Sequence, residues 1–353
     1  MRLKTLVFGA CALLGLSVTA PAFAAEELNF VVLASEDREE YDGAVMFKHY
    51  VESMSNDEMK VNIFTGDQLC GKPTECFDAL DSGTVDVYSA ALSSMSVVYP
   101  PIALIDIPYL LSNSWEAENV LTGPFQQDLR EGLYKYTNGK FMLMTTSNSG
   151  GFRGIATTTK EVKTPADMDG LKIRTVENDI AFQDMRNLKA SPTPVAYMEL
   201  YSALQQGVVN GCTNGVMHVV TAKHHDSIKH ILNDNRVFVG GFAAMSSDRF
   251  RSFSPEQQKI LIDAFNRMSV VQFGVQPRKE INCYEDFEKA GGKVYYPTEA
   301  DMKQFREAEK NLRQLYLDEY GEAGKDLLTK FEKRLAETRA EIKTVYDSFN
   351  NLK

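Results

Sequence analysis

The strongest constraint on the fold is an alternation of strand-like and helix-like segments. This alternation occurs twice along the chain. The first series has an apolar, β-branched run at 28–33, a helical pattern at 41–54 and an alternating strand pattern at 60–64. The second series begins with a strand pattern at 141–144 and continues with another at 171–174. Strands that alternate with helices are typical of sheets whose faces are covered by helices. The sequence therefore predicts an α/β fold with two lobes.

A long helix is predicted to join these lobes. Ser254 and Gln257 form a capping box with Pro255 at the first helical position, so a helix begins there. Gly274 and Pro277 predict a kink further along. The remaining predicted elements are helices at 75–82, 180–187 and 198–206, strands at 85–88, 154–158, 208–211 and 294–296, and a helical turn at 164–167.

Composition limits the class of protein. The chain has 353 residues, 44% of them hydrophobic, with 38 basic and 48 acidic residues. The length suggests about two domains, and the apolar content excludes a disordered chain. Because phosphate binding needs clustered Lys and Arg, the acidic balance argues against a nucleic acid partner.

Residues 1–24 have the pattern of an export signal. Arg2 and Lys4 precede an apolar run at 6–18, and Ala22 and Ala24 supply the small residues of a cleavage site. The run is shorter than the roughly 20 residues of a membrane span. We therefore expect a cleaved signal peptide and a mature protein in the periplasm.

Four cysteines remain after this segment. Cys70 and Cys76 flank a short stretch that Gly71 and Pro73 bend, so we expect a local disulfide in an oxidising compartment. A metal site would need more Cys or His at ligand spacing. Cys212 and Cys283 either pair or stay buried, and the sequence is compatible with both.

The C-terminal segment, 325–353, is helical in pattern. Its apolar residues recur at nearly heptad spacing, which fits a helix that packs across the protein's own surface. We expect a monomer, with a dimer through this helix as the alternative. The stripe consists of Leu328, Phe331, Leu335, Ile342, Val345 and Phe349.

The short motifs of common enzymes are absent from the sequence, which contains no GxSxG, HExxH, GxxxxGK[ST] or GxGxxG. His224 and His230 are six residues apart, so a helix would place them on different faces rather than on one metal-binding face. We expect a polar, solvated helix there. The sequence predicts no catalytic residues, no metal and no cofactor.

A set of longer motifs resembles the solute-binding subunits of tripartite ATP-independent periplasmic (TRAP) transporters, of the dicarboxylate-binding type. The motifs occur in order at compact spacing, and together with matches in the first lobe at 66–69, 80–86 and 108–111 they cover nearly all of the mature chain. They lie at 150–154, 170–174, 191–197 and 199–211, followed by Asn214.

This resemblance implies a site with two arginines. Arg174 matches the family arginine that holds the ligand's carboxylate, and it ends a short strand at the sheet edge where α/β proteins form ligand crevices. A guanidinium offers paired donors to a carboxylate. The alternative for Arg174 is a structural ion pair with Glu177 or Asp179. Arg153 matches a second arginine near the ligand, or it supports other side chains through salt bridges.

Other site residues follow from the same resemblance. Asn214 matches an asparagine that hydrogen-bonds the ligand, although Gly215 stands where the family usually has a proline-containing loop. Tyr197 matches an aromatic wall of the pocket, with core packing as the alternative. In the first lobe we expect contacts from the loop and strand-end residues Glu36, Asp37 and Ser94, and from Trp115, which closes the pocket or packs a helix. Glu199 and Tyr201 are expected at contacts between the lobes.

The resemblance also implies the architecture and the function. We expect a two-lobed periplasmic binding protein fold with mixed sheets flanked by helices, a long kinked linking helix and a C-terminal helix. Lobe I comprises 25–150 with 240–277, and lobe II comprises 151–239 with 278–324. The protein is expected to close around a small organic acid and deliver it to TRAP membrane subunits for ion-gradient-driven uptake. The alternatives are a ligand sensor for a signalling partner and a secreted enzyme. The ligand stays open among dicarboxylates, keto acids, sugar acids, aromatic acids and sulfonates.

Overall fold

A computed structural model describes residues 25–352. A single mixed β-sheet runs through these residues. The predicted signal peptide at 1–24 lies outside these residues. The described residues form nine strands, in the spatial order β2-β1-β3-β8-β4-β7-β5-β6, with β9 beside β8. The strands are β1 (Glu26–Val32), β2 (Met59–Thr65), β3 (Val87–Ala91), β4 (Phe141–Thr157), β5 (Lys172–Thr175), β6 (Ser191–Pro194), β7 (Gly211–Asn214), β8 (His230–Ser246) and β9 (Lys293–Tyr295).

Helices cover both faces of this sheet. Short 3₁₀ turns at 92–97, 100–106, 165–168, 197–199 and 224–226 connect some of the elements. The helices are α1 (Glu39–Met54), α2 (Pro73–Ser82), α3 (Ser114–Thr122), α4 (Pro124–Tyr136), α5 (Asp179–Asn187), α6 (Leu200–Gln205), α7 (Val216–Thr221), α8 (Ser247–Ser252), α9 (Pro255–Lys289), α10 (Glu299–Glu309) and α11 (Leu312–Asn350). The predicted α/β fold with a mixed sheet is confirmed.

Both ends of the sheet are parallel, and two long antiparallel strands join them. β1 pairs in parallel with β2 and β3, while β5 pairs in parallel with β6 and β7. Between these groups, β4 and β8 lie antiparallel to each other and are 17 residues long each. Each half buries apolar clusters on both faces of the sheet, which explains the continuous apolar runs of its parallel strands.

The separate strands predicted at 141–144 and 154–158 are one strand, β4. Its register against β8 shifts between Asn148 and Gly151, where the backbone forms a bulge. Gly150 and Gly151 both have positive φ there, and their amides donate to the side-chain Oδ1 of Asn148. The glycines interrupt the apolar pattern of the sequence without ending the strand.

The long helix begins where the sequence predicts it. Ser254 accepts a hydrogen bond from the amide of Gln257, and Pro255 is the first helical residue. The helix continues for 35 residues with Pro277 inside it. It packs against α1 and β4 as well as α7, so it contacts elements of both halves of the sheet.

The C-terminal helix is longer than predicted, because it begins at Leu312 rather than at 325. Gly321 has a non-helical conformation and divides it into two segments. After Gly321, the first part of the apolar stripe is buried against α3 and α4, and Phe331 contacts Phe125 edge-on. Val345 and Phe349, in the last part of the stripe, are exposed. The dimer through this helix stays a prediction.

Two local predictions are wrong. His224 does not lie in a solvated helix: α7 ends at Thr221, and His224 is buried in a short 3₁₀ turn beside the ring of Tyr197. The strand predicted from Val208 begins at Gly211. Cys212 and Cys283 are buried free thiols, whereas Cys70 and Cys76 form a disulfide. In the part of the chain that is described, no helix has the length and apolar character of a membrane span.

Candidate ligand-binding site

A cleft opens at the ends of strands from both halves of the sheet. It encloses about 870 Å³ of space between atoms, a figure that includes its open mouth. The residues Leu33, Ser93, Val176 and Asn214 line it at the carboxyl ends of β1, β3, β5 and β7. The cleft therefore occupies the place where open α/β sheets bind ligands.

Arg174 lies in this cleft as a buried cation. Its Nε donates to the carbonyl oxygen of Val195 at 2.9 Å, which fixes the direction of the guanidinium. Among residues 25–352 it forms no salt bridge, so the alternative pairing with Glu177 or Asp179 is not made. Burial lowers the pKa of Arg174 to about 10, and the side chain stays charged at neutral pH. Its terminal nitrogens can bind a carboxylate bidentately.

Arg153 also lines the cleft, but its charge is already compensated. Its Nη1 lies 3.1 Å from Asp106 Oδ1, and its Nη2 donates to the hydroxyl of Ser93 at 3.2 Å. Asp106 accepts a second hydrogen bond from Asn178 at 2.8 Å. Burial raises the pKa of Asp106, and the Arg153 charge opposes that shift. This geometry fits the supporting role that the sequence left open for Arg153.

A second compensated arginine lies immediately before α1. Arg38 is buried and contacts the carboxylates of Glu39 and Glu40, at 3.2 and 3.0 Å. Arg38 and Glu40 line the cleft, whereas Glu39 does not. Glu40 also accepts a hydrogen bond from the hydroxyl of Ser149 at 2.6 Å. Burial raises the pKa of Glu40 to about 7, while Arg38 opposes the shift.

Neutral groups form the wall beneath Arg174. The ring of Tyr197 lies 6.0 Å from the Arg174 guanidinium and contacts the rings of His218 and His224 nearly at right angles. Burial holds the pKa of His218 well below its ordinary value, with the charge of Arg38 as the next cause. Burial likewise lowers the pKa of His224 to about 4. Both imidazoles are therefore neutral at pH 7.

Asn214 ends β7 and lines the cleft, with its Oδ1 buried and without a partner in the described residues. The next residue, Gly215, passes very close to β4: a Cβ there would lie 2.9 Å from the carbonyl oxygens of Gly150 and Phe152. A side chain at 215 would push the two strands apart. The departure from the family's loop thus has a packing reason.

The mouth of the cleft is bridged by an ion pair. Lys72, within the disulfide-closed stretch, lies 3.4 Å from Glu199 across the opening, and both side chains are exposed. Gly71 and Pro73 of the same stretch line the cleft. Glu199 thus makes a contact between the predicted lobes, whereas Tyr201 donates to Asp226 within the second one.

The structure brings five of the eight predicted ligand-binding residues to one cleft and leaves three outside it. Those in the cleft are Arg174, Arg153, Asn214, Tyr197 and Ser94. Glu36 and Asp37 are exposed in the turn before α1, where Asp37 accepts a hydrogen bond from Ser35, and the chain turns Arg38 and Glu40 inward instead. Trp115 packs against Tyr346 of α11, at a centroid distance of 5.6 Å. These three residues do not line the cleft, and their contact with a ligand stays a prediction.

Glu40 and His218 are among the cleft residues that sequence reasoning missed. They lie in α1 and α7, and a polar residue on a helix is ordinarily solvated. The sequence does contain a signal for Glu40: it is the last of five consecutive charged residues, 36–40, that follow a buried strand. His218 has no such signal.

The sequence matches the model of one protein family, described as bacterial extracellular solute-binding protein, family 7 (DctP), over residues 30–319. Among curated proteins, it is 24% identical over 330 residues to the 2,3-diketo-L-gulonate-binding periplasmic protein YiaO of Escherichia coli. That alignment covers 93% of this chain and 98% of the relative.

Two solved structures share the fold. A TRAP periplasmic solute-binding protein from Desulfovibrio salexigens, with bound orotic acid, superposes with a TM-score of 0.82 at 23% identity, covering 88% of this chain and 99% of that one. The sugar acid binding protein DctPAm from Advenella mimigardefordensis, in complex with galactonate, gives a TM-score of 0.82 at 20% identity, with the same coverage of 88% and 99%.

Proposed function

Because the chain belongs to the bacterial extracellular solute-binding proteins of family 7, we propose that it captures a small organic acid for a TRAP transporter. The protein is periplasmic, like the relative from Escherichia coli. It hands the acid to membrane subunits, and transport uses an ion gradient. It binds the acid without converting it.

One observation carries this proposal: a buried arginine in the cleft has no anionic partner. Leaving a buried guanidinium unpaired costs free energy, since its hydration is lost without a compensating charge. Arg174 is in that position among the described residues. A ligand carboxylate provides the missing charge and both hydrogen-bond acceptors. Arg153 holds the wall in place through Asp106 and Ser93.

Closure of the cleft completes the capture. We place the division between lobe I (25–150 with 240–277) and lobe II (151–239 with 278–324) at the β4 bulge, where Asn148 pairs with Gly240 and Gly151 with Val239. Rotation about this point opens the mouth and breaks the Lys72–Glu199 pair. When the lobes close, water leaves the cleft, and each polar contact with the ligand becomes stronger.

The test compares Arg174→Ala and Arg174→Lys with the wild type by calorimetry against a panel of organic acids. Removing one partner of a buried charge pair costs about 2–5 kcal/mol, so we expect Arg174→Ala to weaken binding about 30-fold or more. Arg174→Lys keeps the charge but loses the bidentate geometry, so its affinity should be intermediate. Arg186→Ala is the control, because Arg186 is exposed in the same half of the molecule.

Unchanged affinity in Arg174→Ala would refute the anchor. Recovery of the bound acid in altered form would favour a secreted enzyme instead. If the protein binds no organic acid in the panel, the proposed function itself is wrong.

A further inference from the structure

Glu40, which lines the cleft, has one carboxylate oxygen without a donor in the described residues. Glu40 is buried, and its Oε1 accepts from the Arg38 Nη2 at 3.0 Å and from the Ser149 hydroxyl at 2.6 Å. Its Oε2 is buried and has no hydrogen-bond partner in the part of the chain that is described. A buried acceptor of this kind is costly unless a donor reaches it. The bound ligand is the natural source of that donor, because Glu40 lines the cleft.

A second unpartnered acceptor lines the cleft from the other half of the sheet. Asn214 Oδ1 is buried at the end of β7 and lacks a donor within residues 25–352. Glu40 and Asn214 belong to opposite lobes, so one ligand can contact both in the closed cleft. A hydroxyl group donates a hydrogen bond to either acceptor, whereas a carboxylate donates to neither.

The charged side chains of the cleft can neutralise one ligand carboxylate. Arg38 has two carboxylate partners, and Arg153 has one, Asp106. Of the three arginines that line the cleft, Arg174 alone has no such partner among the described residues. A second carboxylate on the ligand would therefore meet no uncompensated arginine. It would be repelled by the Glu40 carboxylate.

We infer that the cleft selects an organic acid with one carboxylate and several hydroxyl groups, and that Glu40 is the residue that rejects a second carboxylate. This inference rests on the proposed function and narrows its ligand. In the complex, Arg174 binds the carboxylate, and ligand hydroxyls donate to Glu40 Oε2 and Asn214 Oδ1. An analogue without hydroxyls leaves these two acceptors unpaired, so it binds much more weakly.

Four six-carbon acids separate the two properties. Galactonate has one carboxylate and hydroxyl groups, galactarate has two carboxylates and hydroxyl groups, hexanoate has one carboxylate alone, and adipate has two carboxylates alone. Calorimetry is done at pH 8, because burial raises the pKa of Glu40 to about 7 and the side chain is mostly ionised at that pH. We expect the wild type to bind galactonate at least tenfold more tightly than each of the other three.

Two matched variants locate the discrimination. Glu40→Gln removes the negative charge from the cleft, so the ratio of galactarate to galactonate affinity should rise about tenfold or more. Glu39→Gln removes the neighbouring charge on Arg38, but Glu39 does not line the cleft. The preference of Glu39→Gln for galactonate over galactarate should stay within threefold of the wild type.

The outcomes are distinct. Wild-type protein that binds galactarate or adipate as tightly as galactonate overturns the inference and leaves the proposed function intact. The same holds if Glu40→Gln leaves the ratio unchanged. If none of the four acids binds but another acid of the wider panel does, the inference fails and the proposed function stands; if no acid of that panel binds, the proposed function fails. The wild-type comparison decides the ligand class even where Glu40→Gln does not fold.

Discussion

Substitution of Gly150 by alanine tests how closely the two halves of the site pack at the β4 bulge. Gly150 has a φ of 113°, which an L side chain rarely adopts, and a Cβ on it would lie 2.2 Å from His218 Cε1 and 3.1 Å from Arg38 Nη2. Two separate penalties therefore apply to Gly150→Ala. The backbone strain costs about 1–3 kcal/mol, and forcing a methyl group into packed side chains costs about 1–3 kcal/mol more.

The control isolates the backbone penalty. Gly170 also has a positive φ, 79°, but no atom lies within 4 Å of its Cβ position. Gly170→Ala should lose only the strain term, about 1–3 kcal/mol, and keep its ligand affinity. Gly150→Ala should lose about 2–6 kcal/mol of unfolding free energy in total, and it should bind ligand more weakly because His218 and Arg38 must move.

Urea unfolding of the wild type and both variants measures these losses, with ligand titration on the same preparations. If both variants lose equal stability and both keep their affinity, the close contact of Gly150 with His218 is absent. The packing of Gly150 against His218 and Arg38 would then be refuted.

Two further predictions concern the disulfide and the buried acid. Replacing Cys70 and Cys76 by serine opens a loop with a sequence separation of 6 and should cost about 2 kcal/mol of unfolding free energy in oxidising buffer. A reductant should lower the stability of the wild type only. Equal urea midpoints of the wild type and the variant in oxidising buffer would contradict this prediction. Burial raises the pKa of Glu40 in the folded protein to about 7, above the ordinary 4.5. Between these two pH values the folded protein keeps a proton that the unfolded chain loses. The contribution of Glu40 to the free energy of unfolding therefore falls as the pH rises from 4.5 to 7. Between pH 5 and pH 8, the unfolding free energy of Glu40→Gln should fall less than that of the wild type. An equal fall in both proteins would show that Glu40 titrates normally. Arg38 and Glu39 are the charged groups that face Glu40.

Local patterns predicted those parts of the site that depend on a single strand. Arg174 lies near the carboxyl end of a short strand, so its place at the sheet edge follows from the strand's direction alone. Asn214 ends a strand in the same way, although the strand begins later than its sequence suggests. The capping box of Ser254 similarly determines where the long helix starts.

Parts of the site that depend on packing between distant segments could not be predicted. Glu40 contacts Ser149, which is 109 residues away, and His218 lies beside Gly150 and Arg38. No local periodicity encodes such contacts. The turn before α1 shows the same limit, because a difference of three positions decides whether a residue is exposed, like Asp37, or lines the cleft, like Glu40.

The shared strands β4 and β8 have a consequence for anyone who wants to turn this protein into a sensor. Each proposed lobe is assembled from separate stretches of chain, and β4 and β8 pair with each other on both sides of the bulge between Asn148 and Gly151. No single cut in the chain yields a self-contained half. A split reporter would have to divide the sheet itself, whereas a fluorescent group attached at Lys72 or Glu199 sits at an exposed position, where the proposed closure changes the distance across the mouth.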